Sequence, residues 1–320
     1  MRTLPIATTV SLASLGLLLA CDSQSHPAAP RLQAMSFANS DWSAPVNLGA
    51  TINSTFLDAH PNLSKDGLSL YFTSTRPVGG QGGNDLWVAR RGCEDCPWEA
   101  PVNLGSVINT SGVEAGSDLS ADGHLLFFHS NRPGTLGGND IYVSRRADPN
   151  DDVGWGPPEA LGPDVNTTAD ENAPTYLQSA EDGSANLYFT RGDATTQAQE
   201  LYVAAITRDG ETRGPAVLAV ELNSIANDAA PTVRADGREL LFHSPRSGTL
   251  GFADLWVSTR QSVHEPWSTP VNLGAPLNTT AFDLQPSLSH DGRTLVWASD
   301  RPGSIGGLDI WMSTRTPSGH

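Results

Sequence analysis

From Asp41 onward the chain is built of short stretches in which apolar and polar residues alternate, each closed by glycine, proline, asparagine or aspartate. "SAPVNLG", "AHPNLS", "LSLYFTST" and "DLWVAR" are the first four, and Lys65-Asp66-Gly67 between the second and third has the composition of a tight hairpin turn. A period of two sends successive side chains to opposite faces of a strand, and no run after Asp41 keeps the period of a helix. Four antiparallel strands are predicted.

The block then repeats. Units open at Trp42, Trp98, Trp155, Arg213 and Trp267. Their asparagines Asn53, Asn109, Asn166, Asn223 and Asn278 are 56, 57, 57 and 55 residues apart. The Asp-Gly turn returns at Asp66, Asp122, Asp182, Asp236 and Asp291. A four-stranded unit repeated at this period, with no helix, predicts an all-β fold: a five-bladed β-propeller of four-stranded antiparallel blades. The fifth unit stops at its third strand, "DIWMSTR", while the strand that opens the first unit, Trp42 to Leu48, has no blade before it to complete. That strand is expected to complete the blade formed by residues 286 to 315 and close the ring. The propeller then occupies 41–316 as a single domain, with a tail at 317–320.

"GGNDLW" (Gly82 to Trp87) recurs as "GGNDIY" and "GGLDIW". Its aromatic position, Trp87, Tyr142, Tyr202, Trp256 and Trp311, is expected to be buried between blades. The preceding acids are Asp85, Asp140, Glu200, Asp254 and Asp309. Arg76, Arg132, Arg246 and Arg301 recur ahead of the loop and are expected to pair with Asp85, Asp140, Asp254 and Asp309, unless those acids hold the loop through backbone N–H groups. A phosphate cradle does not fit, because the acid repels an anion and neither lysine nor a helix N-terminus follows. "HPNLSKDGLSLYFTSTR" followed by "GGNDLWV" resembles the WD40-like β-propeller repeat of the TolB C-terminal domain and of many envelope lipoproteins, over about residues 41 to 315. The third unit departs from it, with "GDATTQAQELYV" in place of the glycine loop, and TolB-type domains have more blades than the five units counted here.

Ahead of the repeats, Arg2 and the apolar run "LPIATTVSLASLGLLLA" end at "LLAC", which reads as a lipoprotein signal over 1–20 with Cys21 as the lipidated residue. The run is short for a membrane span. Residues 21–40 are rich in serine, alanine and proline and form an expected tether. The expected location is the bacterial cell envelope, with the propeller in the periplasm or at the cell surface, held to the membrane through the lipid alone. In that oxidising setting Cys93 and Cys96 are expected to form a local disulfide, with a free or redox pair as the alternative, and one such pair lacks the ligands of a zinc site. With 35 acidic against 19 basic residues the net charge is -16, which excludes a nucleic-acid surface. A monomer is expected.

Chemistry is sparser. Asp58, Glu114, Glu171, Asp228 and Asp283 stand five residues after each repeat asparagine, and their equivalence favours a structural role over the division into acid and base that glycoside hydrolysis needs. His60 is singular, since its counterparts are Gly116, Ala173, Ala230 and Gln285. These acids are expected to ring one mouth of the axial channel, with the Arg76 set and Arg191 as the only repeat-locked cations. The surplus negative charge would draw a divalent cation such as calcium, or a basic group of a partner, with His60, Asp170, Asn227 and Phe282 giving it direction; the alternative is that both acids of each blade share one arginine in solvent and the ring is structural. No other cofactor is expected. "DPNDDVGWGPPE" spaces Asp148, Asn150, Asp152 and Glu159 like a calcium loop, but Val153 replaces the turn glycine and two prolines forbid the exit helix, so an acidic hairpin loop is expected. No Gly-x-Ser-x-Gly elbow or metal-spaced histidines occur. The expectation is a non-catalytic envelope platform binding a protein or glycan; the alternative is a glycan-active hydrolase or lyase using the central pocket, as in five-bladed propellers of the arabinanase type.

If Cys21 carries lipid, Cys21→Ser releases the protein from the membrane pellet into the soluble fraction; fractionation that leaves it in the pellet removes the anchor.

Overall fold

The computed structural model describes residues 1, 41–179, 182–192 and 198–316. The signal segment, Cys21, the tether and the tail therefore lie outside the described residues, Met1 excepted. Contacts divide the chain into Met1–Ala34 and Met35–His320, and the propeller is the second unit.

The described residues contain five separate four-stranded sheets and no helix. After β1 (Val46–Asn47), blade 1 runs from the axis outward as β2 (Asp58–Leu63), β3 (Ser69–Ser74), β4 (Asp85–Arg90) and β5 (Val102–Asn103). Blade 2 is β6 (Glu114–Leu119), β7 (Leu125–Ser130), β8 (Asp140–Arg145) and β9 (Glu159–Ala160). Blade 3 is β10 (Asp170–Gln178), β11 (Ala185–Gly192), β12 (Gln199–Ile206) and β13 (Val217–Leu218). Blade 4 is β14 (Ala229–Val233), β15 (Glu239–Ser244), β16 (Asp254–Thr259) and β17 (Val271–Asn272). Blade 5 has β18 (Asp283–Leu288), β19 (Thr294–Ser299) and β20 (Asp309–Thr314), and its outer strand is β1. Val46 pairs with Met312, Asn47 with Trp311, and Trp42 bridges to Arg315, so the N-terminal strand closes the ring as the repeat count requires.

Each blade is apolar on both faces because each face meets a neighbour. In β3, Leu70 and Phe72 pack towards blade 5 with Val296 and Ile310, while the intervening Tyr71 packs towards blade 2 with Leu126 and Phe128. The five apolar clusters correspond to the five blade interfaces. The repeated aromatics Trp87, Tyr142, Trp256 and Trp311 are buried there, each contributing about 2 to 3 kcal/mol by area.

The repeat asparagine supplies the polar part of each interface. Its amide makes a two-point bond to one residue on the third strand of the preceding blade: Asn109 with Leu86, Asn166 with Ile141, Asn223 with Leu201, Asn278 with Leu255. Asn53 makes the same pair with Ile310, 257 residues away, across the closure.

Removing residues 41–48 exposes the edge of β20 and the Trp311 face. That deletion is expected to lower the melting temperature far more than removal of residues 22–40; equal melting temperatures in calorimetry would contradict closure by β1.

Candidate functional site at the propeller axis

At or next to the head of every inner strand stands a repeat carboxylate, Asp58, Glu114, Glu171, Asp228 and Asp283, and all five are fully buried. Each meets the arginine of its own blade: Arg76–Asp58 at 2.6 Å, Arg132–Glu114 at 3.4 Å, Arg191–Glu171 at 2.7 Å, Arg301–Asp283 at 2.5 Å, and Arg246–Asp228. The remaining carboxylate valence is met locally, as where Ser54 donates both its N–H and its Oγ–H to Asp58. The arginine also donates to a loop carbonyl, Ile52 O for Arg76, and lies over Phe72 and Trp87. A charge so enclosed is held by its partner, and removing either member strands the other. Two expectations change accordingly. Arg76, Arg132, Arg246 and Arg301 pair with Asp58, Glu114, Asp228 and Asp283, not with Asp85, Asp140, Asp254 and Asp309. The five leading acids are consumed inside their blades and form no charged ring at the channel mouth.

The other acids hold the glycine loops through backbone N–H groups. Asp309 accepts from Ile305 N at 2.7 Å and Gly306 N at 3.0 Å, and Asn47 Nδ2 adds a third bond at 2.8 Å. Asp85, Asp140 and Asp254 repeat the arrangement with Gln81, Leu136 and Leu250. Burial pushes the Asp85 carboxyl above its ordinary range.

A second set of repeat-locked arginines escaped the sequence reading. Arg91, Arg146, Arg260 and Arg315 each donate to the glycine carbonyl of the Asp-Gly turn and lie over Trp98, Trp155, Trp267 and Trp42. Their aromatic partners sit at the start of the following unit, a pairing visible only when blades are aligned outer strand to inner turn. The "DPNDDVGW" loop is likewise more than an acidic hairpin. Its Asp152 is buried and accepts from Ser69, Tyr71, Arg90 and Arg146, clasping blades 1 and 2. Cys93 and Cys96 form a disulfide in the loop between β4 and β5.

What lines the axis is the next stretch of each inner strand. A bulge interrupts β2, β6, β10, β14 and β18, and its first residue has a left-handed backbone: His60 at φ 47°, Gly116 at 62°, Ala173 at 46°, Ala230 at 50° and Gln285 at 54°. The bulge points an N–H at the preceding blade. Thr73 Oγ1, His129 Nδ1, Thr190 Oγ1 and His243 Nδ1 accept it from Gly116, Ala173, Ala230 and Gln285 at 2.9 to 3.3 Å. Blade 5 has Ala298 at that position and offers no acceptor, so Gln285 Oε1 takes the N–H of His60 instead at 3.2 Å. A Cβ at Gly116 would lie 2.8 Å from His129 Nδ1.

Below this ring lies a belt of polar side chains. Asn62 Nδ2 donates to Asp118 Oδ1 at 2.6 Å and to Ser287 Oγ at 3.3 Å, Tyr176 N donates to Asp118 Oδ2 at 2.7 Å, Thr175 Oγ1 to Pro231 O at 2.6 Å, and Leu288 N to Thr232 Oγ1 at 3.3 Å. The belt passes through all five blades and separates two axial spaces of about 310 Å³ on the His60 side and 610 Å³ on the Lys65 side, open mouths included. Asn62 Oδ1 and Ser117 Oγ are buried and unpartnered among the described residues, and both residues line the His60-side pocket.

Asp118 is the one carboxylate among the residues lining that pocket. Burial raises its pKa to about 7 against the opposing pull of Tyr176 N and Asn62. Burial lowers His129 and His243 to about 4, so both are neutral acceptors, as their Nδ1 bonds require. His60, 5.8 Å from His129 ring to ring, is pushed well below its ordinary value by burial and then by those two imidazoles. The site therefore brings together His60 and an acid the sequence reading did not single out. The signal for Asp118 was available: its counterparts are Asn62, Thr175, Thr232 and Ser287, making it the single acid at a repeat position held elsewhere by neutral polar residues. Among the described residues no group of three or more His, Cys, Asp and Glu side chains is placed to hold a metal ion.

No protein-family model matches the sequence, and no curated protein matches it. The fold is similar to that of an α-L-arabinofuranosidase from Lactobacillus brevis, with TM-score 0.56 and 16% identity over 83% of this chain and 92% of that one. It is similar to the Bacillus subtilis arabinanase Arb43A, with TM-score 0.54 and 14% identity over 83% and 96%. It is also similar to an α-L-arabinofuranosidase from Podospora anserina, with TM-score 0.53 and 13% identity over 87% and 97%. At these identities the likeness is one of fold. These neighbours correct two expectations: the solved structures that share this fold are glycoside hydrolases, where the repeats resembled TolB-type lipoproteins, and the expectation of a non-catalytic platform finds no support among them.

The buried groups make stability depend on pH in opposite senses. Asp118 holds its proton more tightly in the fold, about 7 against 3.8, so it costs stability as pH rises between those values, by up to roughly 4 kcal/mol. His129 and His243 cost stability as pH falls from 6.5 towards 4. In thermal melts across this range Asp118→Asn is expected to flatten the alkaline-side loss, Asn62 turning its free Oδ1 to the new amide. His129→Thr, which installs the acceptor found at Thr73 and Thr190, is expected to reduce the acid-side loss. Melting curves parallel to wild type would place the titration elsewhere.

Proposed function

We propose that the protein is a glycan-active hydrolase that works at the His60 mouth of the propeller axis, on a neutral glycan. The observation that carries this reading is that a buried carboxyl poised near neutrality, Asp118, and an imidazole held neutral, His60, both line the axial pocket of a five-bladed ring. A fold shared with arabinofuranosidases and an arabinanase supports the substrate class. Two groups whose surroundings push their protonation apart can divide the work of glycoside cleavage. Protonated Asp118 gives its proton to the leaving oxygen, and neutral His60 takes one from the attacking water. No cation lines the His60-side pocket, which favours a neutral over an acidic sugar. The paired carboxylates of most glycosidases are not present there, since Asp58, Glu114, Glu171, Asp228 and Asp283 are tied up in their blades, so the base falls to His60. The protein would act in the cell envelope, as a monomer tethered by lipid on Cys21.

Arabino- and xylo-oligosaccharides incubated with the protein are expected to yield shortened products, with the rate falling as pH rises through about 7 and Asp118 loses its proton. Asp118→Asn is expected to lower kcat by about 100-fold or more while leaving sugar binding in place. His60→Ala, backbone-compatible because Ala173 and Ala230 hold the same bulge, is expected to do likewise. Binding without product in the wild type would remove the hydrolase and leave a sugar-binding ring; neither binding nor product would remove the glycan.

A further inference from the structure

The repeat serves as its own control, because a residue that four blades do without is not needed to build a blade. Two such departures meet at the seam between blades 4 and 5. Two residues before the loop acid stand Gly83, Gly138, Ala198, Phe252 and Gly307. Immediately before the buried leading acid stand Leu57, Val113, Asp170, Asn227 and Phe282. The two positions are neighbours across every seam: Gly83 N donates to Gly112 O at 3.0 Å, and Phe252 N to Ala281 O at 3.4 Å. At the blade 4–5 seam alone both are aromatic. The rings of Phe252 and Phe282 stack with centroids 4.9 Å apart and planes at 23°, fixed by a parallel bridge between Ala253 and Phe282. Yet they are 67% and 38% exposed. Aromatic surface kept in water, on a backbone that other blades form with glycine and valine, is not explained by folding.

We propose that Phe252 and Phe282 form a stacking platform for one sugar ring of a neutral glycan; this rests on the glycan reading above and extends it to a named subsite. Phe282 immediately precedes β18, three residues ahead of Gln285, which lines the His60-side pocket, so the platform stands at the head of a strand that enters the axial site. The two rings offer roughly 200 Å² of exposed surface, far short of the about 800 Å² per partner of a stable protein interface. That area suits the C–H face of one sugar. A hydroxyl partner is adjacent: Asp300 is exposed and uses Oδ1 for Phe282 N at 2.8 Å.

The test returns the seam to the sequence of other blades. Phe252→Gly and Phe282→Val copy Gly83 and Val113, so the variants keep a backbone the protein already folds. Calorimetric titration with xylohexaose and arabinohexaose is expected to show binding by wild type and about tenfold weaker binding by the double variant, with the melting temperature little changed. Should the double variant melt early, Phe252→Gly alone gives the same readout. Wild-type binding that the variants leave untouched overturns the platform and spares the glycan reading. No wild-type binding to either sugar overturns both. Wild-type self-association in sedimentation that the double variant abolishes, with sugar binding unaltered, assigns the patch to a second copy of the chain and overturns the platform.

Discussion

No blade of this protein can exist by itself, because each is apolar on both faces. β3 sends Leu70 and Phe72 one way and Tyr71 the other, and all three are fully buried only when blades stand on both sides. A row of such units has two exposed ends, and a ring has none. Everything else follows from closing it. The repeat asparagines staple each unit to the third strand before it, the clasp of Arg315 over Trp42 and the pairing of β1 with β20 turn the chain's beginning into its last outer strand, and the axis becomes a place where five copies of one segment meet.

Meeting in five copies has a chemical consequence. Five carboxylates close to one axis would repel one another unless neutralised, and each is, by an arginine of its own blade lying between two aromatic rings. The strongest charges near the centre are thereby removed from function. Chemistry is left to positions where the repeat is broken: Asp118 among neutral belt residues, His60 as the one imidazole among the bulge residues, Phe252 and Phe282 among glycines and assorted partners. The substitution of Gln285 Oε1 for a missing acceptor on Ala298 shows the same economy at the seam that closes the ring, where the inner strand of blade 5 supplies the bond that the second strand supplies in other blades.

The blade count, the four strands, the hairpin turns and the closing strand were all legible in the sequence, because period-two alternation and a repeated register are local properties that survive without knowledge of contacts. The family resemblance was less informative for the same reason. A strand–turn–strand motif is common to propellers of different blade number, and it does not report which other rings the whole one resembles. The partner of each arginine was misread. Arg76 is nearer in sequence to Asp85 than to Asp58, but β3 runs antiparallel between β2 and β4, so both acids lie beside its end, and the guanidinium turns to the inner strand, where the carboxylate is fully enclosed.

The sequence by itself determined the architecture: how many blades, which strand is innermost, which position is aromatic, and where the chain must close. Only the tertiary structure decided which of its many acids are available. Asp58 and its four equivalents carry the same charge as Asp118 on paper and are as deeply buried, and their partners separate them: an arginine within 2.6 Å keeps Asp58 in a structural pair, whereas Asp118 is enclosed with an amide and a backbone N–H and no cation among its bonded partners, so desolvation lifts its pKa to about 7. That difference depends on what five separate segments bring to the axis from up to 225 residues apart, as in the bond from Asn62 to Ser287, and no local pattern encodes it.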